Sequence, residues 1–133
     1  DVTVRGNTFR NGGRGSWINQ PRNLTMVDNV FERNTTKCEA DPKRGRRSFV
    51  TGDYEEYAEM YFTTYEVGGT YGNVILKGNR FISGPNAKHA MTFMPGGSQI
   101  VIQGNRFEGP ARDIPAAKGC SDVDISGNTG LTP

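Results

Sequence analysis

The sequence predicts an all-β solenoid of about five coils, and three observations carry that prediction. First, a nine-residue pattern recurs along the 133 residues: polar, apolar, any, apolar, any, Gly or Asp, Asn, any, Phe. Its copies run from Asp1 to Phe9, Asn23 to Phe31, Asn73 to Phe81 and Gln99 to Phe107, with a degenerate copy from Asp122 to Gly130. Second, the Asn of the pattern stands at 7, 29, 79, 105 and 128, in steps of 22, 50, 26 and 23. A period in this range marks stacked repeats, and the step of 50 is one coil carrying an insertion or two coils. Third, glycine is abundant at 18, and apolar residues come in short alternating runs that suit strands.

The elements follow in order. Val2 and Val4 alternate as a short strand, Gly6-Asn7 supplies a corner in the left-handed region, and Phe9 points back inside. Asn11-Gly12-Gly13 is a second corner, Ser16-Trp17-Ile18 a second strand, and Asn19 to Arg22 a third corner. Three corners in about 22 residues fit one turn of a parallel β-helix. Like residues then stack from coil to coil. The pattern predicts a ladder of Asn7, Asn29, Asn79, Asn105 and Asn128 bonded through their side-chain amides. Beside it should run an inner column of Phe9, Phe31, Phe81 and Phe107, and another of Val4, Met26, Leu76, Ile102 and Ile125.

Coil two reaches Phe31 on schedule, and then the period breaks over about residues 34–72. Thr35 to Arg47 reads as an exposed polar, basic loop. Ser48 to Thr51 reads as a strand ending in Gly52-Asp53, and Glu55 to Met60 as one or two helical turns. Glu66 to Gly72 is a Gly-rich return. In coil three, Ala90 to Met94 is the second strand, with Met91, Phe93 and Met94 read as core and flank. In coil four that strand is Asp113 to Ala116. The whole chain, 1–133, reads as one domain. No polar cap precedes Asp1 or follows the last copy, so the chain is expected to be a segment of a longer solenoid.

Charge and cysteines narrow the function classes. Sixteen basic and 14 acidic residues leave a net charge of +2, too balanced to point to nucleic acid. The densest basic run, Lys43 to Arg47, reads as a solvated loop. No stretch supplies the roughly 18 consecutive apolar residues of a membrane span. Cys38 and Cys120 permit one disulfide without establishing it, and neither they nor the single His make a metal-ligand cluster. Asn23 and Asn34 open Asn-x-Thr glycosylation acceptor patterns.

The repeated Asn-Val-x-Ile-x-Gly-Asn-x-Phe grammar resembles the right-handed parallel β-helix proteins of the pectate-lyase-like superfold. That resemblance implies a right-handed coil, a carbohydrate ligand and a secreted location, extracellular or periplasmic. The superfold hosts hydrolases, lyases, epimerases and non-catalytic binders, so it leaves the activity open. A narrower string is similar to β-helix glycoside hydrolases that remove α-linked galactose. It comprises Arg14-Gly15 before a strand, Gly52-Asp53 in the next coil, and Tyr65-Glu66-Val67-Gly68 before the following one. Here the interval from Gly-Asp to Glu is longer than in that pattern, and the basic loop is not part of it.

Candidate site residues follow from the coil register. On a solenoid the insertion marks the functional face. Arg14, Lys88-His89 and Arg112-Asp113 before the second strand, and Asp53 in or after coil two's strand, occupy equivalent positions about 4.8 Å apart per rung. Glycoside hydrolysis needs a carboxylic acid and a carboxylate, for which Asp53 and Glu66 are the pair, with Glu55, Glu56 and Asp113 in reserve. Glu66 lies in sequence among Tyr61, Phe62 and Tyr65, surroundings that favour a general acid; the plainer reading makes both surface acids. Arg14 suits a sugar hydroxyl or carboxylate, or a salt bridge to an insertion acid. Trp17, Tyr54, Tyr57 and Tyr65 offer stacking faces, although a tryptophan inside a strand is equally suited to burial. His89 suits general acid work or a hydroxyl contact.

The rival enzyme is a polysaccharide lyase on uronate polymers, with Lys88, His89, Arg14 and Arg112 as its cations; only that reading calls for a cofactor, Ca²⁺. The third reading is a non-catalytic carbohydrate binder, adhesin or tailspike segment. Expected partners are a polysaccharide or glycan, and further coils or another copy at the solenoid ends, with neither nucleic acid nor membrane.

Overall fold

The computed structural model describes residues 1–37, 58–64, 66–85 and 87–133, and the backbone of 46–47 and 54–55. The chain is all-β, built on parallel sheets. The first sheet joins β1 (Val2–Arg5), β4 (Arg22–Val27), β9 (Tyr71–Lys77), β12 (Gly97–Gln103) and β14 (Ser121–Ser126), in that order. The second joins β2 (Thr8–Arg10), β5 (Val30–Glu32), β10 (Arg80–Ile82) and β13 (Arg106–Glu108). The third joins β3 (Ser16–Asn19), β8 (Ala58–Thr63) and β11 (His89–Phe93). The chain visits the first, second and third sheets in turn and returns to the first. Among the described residues, only β6 (Arg46–Arg47) and β7 (Tyr54–Glu55) pair antiparallel.

The register is the one the repeat predicts. Val4 pairs with Met26, Met26 with Leu76, Leu76 with Ile102 and Ile102 with Ile125. Phe9, Phe31, Phe81 and Phe107 pair in the second sheet, and their rings stack 5.1–5.2 Å apart. The Asn ladder forms as a one-way chain. The backbone N–H of Asn7 donates to Asn29 Oδ1, that of Asn29 to Asn79 Oδ1, of Asn79 to Asn105 Oδ1, and of Asn105 to Asn128 Oδ1, at 2.9–3.0 Å. Each side-chain amide of Asn29, Asn79, Asn105 and Asn128 donates in turn to a carbonyl of the preceding coil: Val4, Met26, Leu76 and Ile102. Asn29, Asn79 and Asn105 are buried, and burial is tolerable because these bonds satisfy the amide. The residue before each Asn takes the left-handed conformation: Gly6, Asp28, Gly78, Gly104 and Gly127 have φ between 57° and 67°. Gly and Asp reach that region with least strain, which is why the pattern carries them there.

The structure corrects four expectations. The described residues of Glu55 to Met60 are not helical: Glu55 ends β7, and Ala58 to Met60 belong to β8. Ala, Glu and Met favour helix intrinsically. Backbone pairing on both edges, with Met60 and Phe62 turned into the core, overrides that preference. The insertion also does not run from 34 to 72. Thr36 and Lys37 N–H bond to Gly12 and Gly13 carbonyls, so the chain keeps its register to Lys37, and β8 pairs parallel with β3 and β11 in the third sheet. Asn34 and Thr35 are accordingly buried rather than exposed. Asp113 to Ala116 forms no strand, because Pro115 cannot donate to a ladder; it adds only the Asp113 carbonyl, which accepts from Ala90 N–H at 3.0 Å. Phe9 is stacked but 41 % exposed, since its column ends there.

Candidate functional site

On the face of the third sheet turned away from the core, aromatic and polar side chains are buried along β8 and exposed at Trp17 and Asn19 of β3. In β8, Met60 and Phe62 enter the core, so Glu59, Tyr61 and Thr63 lie on the other face. Trp17 pairs with Tyr61 in register, Asn19 with Thr63, and Tyr61 with Thr92 of β11. The Trp17 and Tyr61 rings lie 5.6 Å apart at 37°. The indole Nε1–H donates to Thr63 Oγ1 at 2.8 Å, and that hydroxyl donates to Asn19 Oδ1 at 3.1 Å. Trp17 is thus held by its polar edge and backed by a tyrosine, yet stays 39 % exposed. Thr63, 46 residues away, fixes the ring's orientation. Trp17 therefore packs against Tyr61 without being buried.

Glu59 was not among the sequence candidates. It is fully buried, and its carboxylate accepts from Asn34 N–H at 3.0 Å and from Asn34 Nδ2 at 2.6 Å. Asn34 in turn binds back to coil one, donating to the Phe9 carbonyl and accepting from Gly12 N–H. Burial pushes the Glu59 carboxyl up to about 7. The two Asn34 donors oppose that rise, and the nearby Glu32 adds to it. Its only sequence signal was an acid beside an apolar run, inside the stretch read as helical turns.

The predicted residues divide. His89 Nδ1 lies 2.7 Å from Asp113 Oδ2, so the expected stacking of these two positions is real. Lys88 and Arg112, which precede them, are exposed, as is Arg14. Glu66 does not sit in apolar surroundings. It is exposed in a turn closed by Gly69 N–H on the Glu66 carbonyl, while Tyr61 and Phe62 are buried. That turn follows β8 directly, at the Thr63–Asn19 end of the face. Asp53, Glu56, Tyr57 and Tyr65 lie outside the described residues, as do Cys38, the expected strand 48–51 and the side chains of Tyr54 and Glu55. Cys120 is a free thiol, with Sγ 3.3 Å from the Met94 carbonyl. Among the described residues no three His, Cys, Asp or Glu side chains converge as a metal-ligand set. No helix there is long and apolar enough to cross a membrane.

The second sheet's outer face is different in kind. Arg10 pairs with Glu32 at 2.9 Å, and Arg80 grips Glu108 through both Nε and Nη2. The Arg80 guanidinium holds the Glu108 carboxyl below its usual range. Its charges answer one another, whereas the third sheet presents an open ring.

Comparison with known proteins finds no matching family model, no similar curated protein and no similar solved structure.

Proposed function

We propose that this chain is a segment of a right-handed parallel β-helix that binds a carbohydrate at the exposed Trp17 edge of its third sheet. The observation that carries the reading is the anchored, half-open indole of Trp17. A sugar presents a flat C–H face that an aromatic ring covers, and hydroxyl groups that need donors and acceptors close by. Asn19, exposed, and Thr92, half-buried, supply such groups near Trp17, while the buried Thr63 orients the indole. An exposed cation, Arg14, lies three residues before Trp17 on the way into β3. A secreted location, extracellular or periplasmic, accords with such a ligand.

The test is binding across a panel of immobilised polysaccharides, measured for wild type and Trp17→Ala. Binding to at least one glycan, reduced tenfold or more in the variant, supports the reading. No binding across the panel, or equal binding by the variant, overturns it.

Hydrolysis of the bound glycan is the second reading, and the position of Glu66 favours it. Its exposed carboxylate stands on the turn leaving β8, next to the end of the aromatic face. With Asp53 as partner it would complete the acid and base pair that glycoside cleavage requires. Reducing-sugar release that is lost in both Asp53→Ala and Glu66→Ala supports this. Full activity in each removes the assignment, and an unsaturated uronate product would make the enzyme a lyase instead.

A further inference from the structure

We propose that the first sheet carries a second binding site, separate from Trp17, that takes one small hydroxylated carboxylate, a sugar acid in chemical class. It lies where β4, β9 and β12 open, on three successive rungs. β1 and β14 flank these strands, so the site is internal to the sheet. Arg22 pairs in register with Gly72, and Gly72 with Ser98. The next residue of each rung, Asn23, Asn73 and Gln99, takes the left-handed conformation, with φ between 52° and 57°. These six residues line a cavity of about 230 Å³.

Arg22 carries the inference. Its Nη2 donates to the Thr70 carbonyl at 3.0 Å and to Thr70 Oγ1 at 2.8 Å. The guanidinium is therefore held in place by neutral groups. The arginines of the second sheet are engaged by acids instead: Arg10 by Glu32, and Arg80 and Arg106 by Glu108. Among the described residues no carboxylate pairs with Arg22, so a fixed positive charge borders the cavity. A carboxylate bound there gains a charge-assisted pair with the planar fork. Because Thr70 already orients the side chain, less rotamer freedom is lost on binding.

The rest of the lining selects the ligand. Gly72 presents bare backbone between Arg22 and Ser98, because a Cβ there would meet the Ser98 carbonyl at 2.5 Å. Arg22 and Ser98 thus stand two rungs apart, about 10 Å, with no side chain between them. Asn73 Nδ2 donates to Asn23 Oδ1 at 2.6 Å, which fixes both amides and leaves Asn73 Oδ1 to accept and Asn23 Nδ2 to donate. With the Gln99 amide and the Ser98 hydroxyl, these groups match the hydroxyls of a sugar. No apolar side chain lines the cavity to favour an apolar acid, and no second cation lines it to favour a doubly charged phosphate. Its volume falls below the roughly 300–1,000 Å³ of pockets for drug-sized ligands, so it suits one small unit.

The test is a titration of the full chain with glucuronate, followed by backbone-amide NMR shifts, beside glucose and inorganic sulfate. Saturable one-to-one shifts should centre on Asn23, Asn73 and Gln99. Glucose lacks the carboxylate and sulfate lacks the hydroxyls, so each should bind at least tenfold more weakly. Arg22→Gln should weaken glucuronate binding tenfold or more. Arg22→Lys should not restore it, since lysine keeps the charge without the fork. Arg22 is exposed, and the amide spectrum checks that each variant folds. Trp17→Ala should leave glucuronate binding unchanged, so this site and the glycan reading at Trp17 stand or fall separately. No saturable binding, equal binding by Arg22→Gln, full binding by Arg22→Lys, tighter binding of glucose or sulfate, or loss of binding in Trp17→Ala would each overturn the proposal.

Discussion

Replacing Glu59 by Gln should abolish a specific part of the pH dependence of stability. The carboxyl is fully buried beside Asn34, and its folded value of about 7 stands above the ordinary 4.5. Between those values the folded chain holds a proton that the unfolded chain has released. Stability therefore falls as pH rises from about 4.5 through about 7, and levels off above. A rise of that size, at about 1.36 kcal/mol per unit, corresponds to about 3 kcal/mol lost at pH 8 relative to acid. Gln has nearly the shape of Glu, and its Oε1 still accepts from Asn34, so Glu59→Gln keeps the contact and removes the charge. The assay is urea unfolding at a series of pH values for both proteins. The wild-type curve minus the variant curve isolates Glu59 from every other titrating group. The difference should be small at pH 4.5 and grow in the variant's favour to about 3 kcal/mol at pH 8. A flat difference, or one that favours the wild type at pH 8, would show that the Asn34 donors outweigh burial and that Glu59 is a stable buried anion.

Other outcomes are as definite. Asn34→Ala removes the side-chain donor to Glu59 and should raise the Glu59 carboxyl further, visible in the pH titration of its carboxyl carbon by NMR. Asn79→Ala leaves the buried Asn29 N–H and the Met26 carbonyl without partners, and at about 1–3 kcal/mol for each should cost about 2–6 kcal/mol in denaturant unfolding. Phe81→Ala opens the fully stacked ring column and should cost about 3–5 kcal/mol, more than Phe9→Ala at its exposed end. Thr63→Val removes the acceptor for the Trp17 indole; it should weaken glycan binding while leaving the fold intact, as read by binding assay beside circular dichroism.

What could be read in the residues was what repeats. The five-fold recurrence placed Asn7, Asn29, Asn79, Asn105 and Asn128 on one ladder and four Phe on another, and the strand register agrees rung for rung. The stretch between Phe31 and Asn73 was not legible in this way, because β8 carries no copy of the pattern. Its residues spell a helix locally and become a strand only between β3 and β11. The same limit applied to the site. His89 and Asp113 were placed together by counting from the repeat, while Glu59 and the Thr63 anchor of Trp17 lie where counting had no reference point.

The sequence by itself determined the strand register: its period, its left-handed corners and the residues that stack. Each of these depends on local backbone chemistry repeated at a fixed interval. Gly or Asp before Asn turns the chain, and the Asn amide bonds to the rungs directly above and below. The tertiary structure alone decided which side chains meet across coils without a repeat to index them. Trp17 finds Thr63 across 46 residues, and Asn34 finds Glu59 across 25. Only folding removes Glu59 from water, and that loss of hydration lifts an ordinary acid into the neutral range.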